Sequence, residues 1–145
     1  MCFNRGMVAK PIAFNKKNRE GKNTQGLRHL YWEIFDCPMQ PGSAFKYMER
    51  EPVYILEDIF AQYPHWTPTI EIAYTSQSYA NLLGLPQSSS HRVGKAIQIL
   101  AKSPERRMFI VKHLILRGVT RIGIGINHVY FDTDNYLKKD ALYVQ

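Results

Sequence analysis

The sequence predicts an α+β fold with a mainly antiparallel sheet flanked by helices. Three observations carry this reading. Apolar residues recur at helical spacing near 50–63. Ser103-Pro104-Glu105 opens a second helix, and the segments at 69–74, 95–100, 121–126, 128–132 and 141–145 are short and suited to strands. The order helix, strand, loop, strand, helix, strands reads as α+β.

The elements follow in order. HLYWEIFDCPMQPGSAF (29–45) begins aromatic-rich and turns at Pro38, Pro41, Gly42 and Ser43. In the next stretch Val53, Leu56, Ile59, Phe60 and Tyr63 share one helical face. Pro52 is tolerated in the first turn, where its missing N–H has no partner to lose, and Pro64 and Pro68 end the helix. TIEIAY (69–74) alternates as a strand, and 77–84 is a short helix stopped at Gly84. LPQSSSHRVGKAIQIL (85–100) is a Ser-rich loop running into a strand, with His91 expected at its start and near the 121–132 hairpin. In the last helix Ser103 is the N-cap, and Met108, Val111, Leu114 and Ile115 are expected to face inward. RIGIGI (121–126), HVYFD (128–132) and ALYVQ (141–145) then complete an antiparallel run.

Composition narrows the function classes. The chain has 145 residues, 45% of them apolar, with no run long enough for a transmembrane helix and no apolar stretch near the start resembling a secretion signal. Cys2 and Cys37 are too few for a disulfide framework or a four-thiolate zinc site, which fits a reducing, cytoplasmic setting. The net charge of +7 is uneven: residues 1–28 hold seven basic side chains and one acid, whereas 29–145 hold twelve and eleven. Residues 1–28 therefore read as a disordered basic arm ahead of a domain at 29–145. The arm is either a solvated tail or a contact for nucleic acid or an anionic surface.

The chemistry-bearing motif is Ser89, His91, Gly94 and Ala96, spaced S-x-H-x-x-G-x-A, with Gln98 two residues further on. Together with FDCPMQPGSAFKYM (35–48), IAYTS (72–76), RIGIG (121–125) and VYFDTD (129–134), it resembles the zinc D-Ala-D-Ala carboxypeptidase family, phage endolysin-type members included. The resemblance spans about residues 30–145. It implies a zinc DD-peptidase-like fold, a peptidoglycan peptide as ancestral ligand, and synthesis in a host cytoplasm like that of phage-encoded members.

The departures from the family pattern point to a degenerate metal site. The resemblance gives zinc three ligands, and here only His91 is retained. Gln98 stands for the family's Asp and Tyr130 for its second His, while Thr75 stands for the Arg that holds the substrate carboxylate. A neutral amide and a protonated phenol are poor zinc ligands, and Thr cannot form a bidentate ion pair. The expected protein has a peptidase fold, has lost its catalysis, carries no resident cofactor and acts by binding.

Two alternatives accompany that reading. In one, His128 and Asp132, which share a strand face with Tyr130, join His91 in a rebuilt zinc site of an active metallopeptidase. In the other, an accessory protein binds nucleic acid through the basic arm.

Overall fold

The computed structural model describes residues 21–135 and 141–145; residues 1–20, most of the predicted arm, lie outside them. Among the described residues four α-helices, α1 (Ser43–Tyr47), α2 (Arg50–Phe60), α3 (Gln77–Leu83) and α4 (Pro104–Leu116), accompany five strands. The strands are β1 (Ile70–Ile72), β2 (Ala96–Leu100), β3 (Arg121–Ile124), β4 (His128–Asp132) and β5 (Ala141–Val144). They form one sheet in the order β1-β2-β4-β3-β5. The α+β expectation holds, with β1, β2, β4 and β3 joined by antiparallel pairs.

The fifth strand corrects the expected run, because β5 pairs with β3 in parallel. One edge of β4 is taken by β2 and the other by β3. The chain therefore reaches the outer edge of β3, where continued alternation of direction makes the new pair parallel. Strands β2 and β3 also point the same way, joined through α4, with β4 between them.

The period of two gives the sheet unlike faces. Ile97, Ile99, Ile122, Val129 and Phe131 point to the buried side, where they meet Val53, Leu56, Ile59 and Phe60 of α2 and Ile110 and Leu114 of α4 in one core. Burying a side chain of this size is worth about 1.5–3 kcal/mol. Gln98, His128, Tyr130 and Asp132 take the opposite face.

Local rules account for the helix ends. Ser76 and Ser103 each accept a hydrogen bond from the backbone three residues on, at 3.2 and 3.1 Å. Helix α2 stops at Phe60, so Tyr63 falls beyond it and is partly exposed. Helix α4 is rolled from its expected orientation: Leu114 is buried, but Met108 and Ile115 are 69% and 56% exposed. The cause is Phe109, whose ring packs on Tyr63 and Trp66 with centroids 4.8 Å away in each case and turns Ile110 inward.

The boundary at residue 28 also moves. Leu27 lies in the core, Trp32 Nε1 donates to the Gln25 carbonyl at 2.8 Å, and the Asn23 N–H reaches the Glu33 carboxylate. Packing of the domain thus includes part of the segment read as arm. Glu57 fixes the following residues to α2, accepting from the backbone N–H groups of His29 and Leu30.

Candidate functional site

The S-x-H-x-x-G segment folds for reasons visible in its residues. Ser89 caps a 3₁₀ turn, Ser90–Val93, by accepting from the His91 N–H, and Gly94 ends the turn at φ +71°. A Cβ on Gly94 would come within 2.5 Å of the Tyr47 carbonyl, and the Glu49 N–H donates to the Gly94 carbonyl. The glycine therefore docks the loop onto the end of α1. His91 sits in this turn ahead of β2, not at the strand's start as the sequence suggested.

His91 is buried, and its Nδ1 donates to the Ala73 carbonyl at 2.8 Å. Its ring meets that of Tyr130 edge-on, with centroids 5.5 Å apart. Tyr130 is the direct cross-strand partner of Gln98. The expected approach of His91 to the 121–132 hairpin is therefore present. Thr75 lies beside this group, fully buried, with its N–H on the His91 carbonyl. The Thr75 hydroxyl has no hydrogen-bond partner among the described residues.

A cleft of about 320 Å³ opens here. Ser90, His91, Gln98 and Tyr130 line its polar side, and Ile72, Leu85 and Pro86 form an apolar wall. Ser88, Ser89 and Gln145 complete it. Ile72 opens the IAYTS motif, whereas nothing in the sequence marked Leu85, Pro86 or Gln145 as lining a site.

Behind the cleft the motif residues Arg121, Asp132 and Asp134 form a charged network whose bonds the sequence did not reveal. Asp132, fully buried, accepts from Arg121 Nε at 2.8 Å, from the Tyr130 hydroxyl at 2.7 Å and from the Asp134 N–H at 3.1 Å. Arg121 faces Asp132 across the strands because Ile122 pairs with Phe131. The Ser90 hydroxyl donates to Asp134, and the Gln98 amide donates to Glu71 on β1.

This arrangement does not fit a zinc ion at the positions given by the resemblance. Gln98 offers only an amide, and the Tyr130 phenol keeps its proton to donate to Asp132. The rebuilt set of His91, His128 and Asp132 is not brought together either. Asp132 is committed to Arg121 and Tyr130, while His128 Nε2 is 2.6 Å from the Gln145 side chain. Among the described residues no three His, Cys, Asp or Glu side chains group as metal ligands.

Burial lowers the His91 pKa below the ordinary 6.5, against the opposing pull of the Ala73 and Ala96 carbonyls and of Asp132. A depressed imidazole supplies stability that is fully present above pH 6.5 and is lost as pH falls through the folded value. Denaturant unfolding of the wild type and His91→Gln should therefore differ by a constant amount above pH 7. The difference should shrink as pH drops below 6.5. A pH-independent difference would show that His91 is not buried as a neutral ring.

No protein-family model matches this chain, and no curated protein matches it. Among the described residues no helix is long and apolar enough to cross a membrane.

Proposed function

We propose that the chain is a peptidase-fold protein similar to zinc D-Ala-D-Ala carboxypeptidases, derived from a phage-type peptidoglycan peptidase, that acts by binding a peptide without cleaving it. The observation that carries this reading is convergence. His91, Gln98 and Tyr130, the positions that the resemblance assigns to zinc, line one cleft although they come from a loop and two strands. The ancestral pocket is therefore kept while its chemistry is exchanged. Gln98 and Tyr130 form hydrogen bonds to Glu71 and Asp132 where a metalloenzyme would present ligands.

The remaining groups suit recognition. Ile72, Leu85 and Pro86 offer apolar surface for small side chains, and Ser90, His91, Gln98 and Tyr130 offer hydrogen-bonding groups for a peptide backbone. The test is titration of isotope-labelled protein with diacetyl-L-lysyl-D-alanyl-D-alanine, as free acid and as carboxamide, with free D-alanine assayed in parallel. At least one form should shift the amide signals of Ser90, His91, Gln98 and Tyr130, with no D-alanine released. Absence of shifts from both forms would overturn the binding reading, and release of D-alanine would overturn the loss of catalysis.

A further inference from the structure

The Leu85–Pro86 side of the cleft has little packing to hold it. Residues 81–84 and 86–88 are exposed, and Leu85 is only half-buried. The backbone bonds there are short in range: the Leu85 N–H donates to the Ala80 carbonyl and the Ser89 N–H to the Pro86 carbonyl. A segment with so few buried contacts opens locally at low free energy unless something ties it down.

Arg92, the residue after His91 in the 3₁₀ turn, supplies that tie. Its Nε donates to the Pro86 carbonyl at 2.8 Å, and its Nη2 donates to the Leu85 carbonyl at 2.6 Å and to Asn81 Oδ1 at 3.2 Å. A planar guanidinium fixes direction as well as distance, which a single ammonium cannot do across several acceptors. Leu85 and Pro86 both line the cleft, whereas Arg92 is outside that lining. Its third nitrogen, Nη1, is buried with no hydrogen-bond partner among the described residues. The side chain thus keeps its bonds to the loop while one donor goes unmet, where a freely solvated arginine would turn every nitrogen to water.

His91 and Arg92 are consecutive, so the guanidinium sets the place of Leu85 and Pro86 relative to the histidine. We infer that Arg92 is the positioning residue of the cleft, holding this side preformed so that a ligand does not have to order it on binding. Its effect on affinity rests on the peptide-binding reading above; its hold on the loop does not.

Hydrogen exchange and calorimetric titration of the full chain, as wild type, Arg92→Ala and Arg92→Lys, test the two parts. In Arg92→Ala the Leu85 and Ser89 amides should exchange about tenfold faster, while those of Val129 and Phe131 in the sheet stay within about twofold. Affinity for diacetyl-L-lysyl-D-alanyl-D-alanine, as acid or carboxamide, should fall about tenfold, as expected when the binding-competent loop is populated about a tenth of the time. Arg92→Lys keeps the charge but loses the fork, so it should restore only part of the protection and of the affinity. The lysine variant carries both readouts if the alanine variant does not fold.

Unchanged exchange at Leu85 and Ser89 in the variants would overturn the hold on the loop. Equally faster exchange in the sheet would make Arg92 a general structural residue and overturn its positioning role. Full restoration by lysine would assign the effect to charge and contradict the role of the fork. A looser loop with unchanged affinity would remove Arg92 from binding and leave the peptide reading intact. No binding of either form by the wild type would overturn the peptide reading, while exchange would still decide whether Arg92 holds the loop.

Discussion

Glu57→Ala should destabilise the domain by about 3 kcal/mol, because one buried and one half-buried backbone donor lose their acceptor at about 1–3 kcal/mol each. The donors are the N–H groups of His29 and Leu30, held by a side chain that is itself buried on α2. In a domain of this size the loss corresponds to a fall in melting temperature of about 10 °C. Glu57→Gln keeps an acceptor oxygen and should cost far less. Burial raises the Glu57 pKa above 4.5, outweighing the backbone hydrogen bonds that lower it. The stability tied to this shift is fully present below pH 4.5 and is lost as pH rises through the folded value, so the wild type should gain on Glu57→Gln as pH falls toward 4.5. Thermal unfolding of both variants across that range checks the sign. An alanine variant as stable as the wild type would remove Glu57 as the link between residues 29–30 and α2.

Gln98→Asp combined with Tyr130→His should create a zinc site where the wild type has a hydrogen-bonded wall. With His91 the pair supplies two imidazoles and a carboxylate, and the cross-strand register of 98 with 130 brings the two new ligands together. Asp132 would then stand behind the new histidine as its carboxylate partner, a support that metal-bound histidines commonly have. Zinc affinity should rise about a thousandfold over the wild type, or about 4 kcal/mol, read by competition with a fluorescent chelator. Each single substitution should recover only a small part of the gain. A double variant that folds but binds zinc no better than the wild type would contradict the proposed correspondence of these positions.

Much of the fold was legible because it rests on local rules. The spacing of Val53, Leu56, Ile59 and Phe60 marked α2, while Gly84 marked the end of α3 and the Ser103 cap the start of α4. What escaped depends on distant partners. Nothing in ALYVQ (141–145) tells that both edges of β4 are occupied. The roll of α4 follows from the aromatic cluster around Phe109, not from its own periodicity. Glu57 did carry a signal: it lies four residues after Val53 and three before Phe60, on the apolar stripe, where a charge needs a buried partner. The approach of His91 to Tyr130 and the pairing of Gln98 with Tyr130 followed the motifs. Asp132 and Asp134 stood in the VYFDTD motif, but their bonds to Tyr130 and Ser90, and that of Glu71 to Gln98, were not legible, because they form only when three strands and a loop come together.

The central claim is that the cleft keeps the place of a peptidase site without its chemistry. The most direct measurement is D-alanine release from diacetyl-L-lysyl-D-alanyl-D-alanine by the wild-type chain, with added zinc and with EDTA. The account predicts no release above the protein-free rate under either condition. Zinc-dependent release that EDTA abolishes would contradict it.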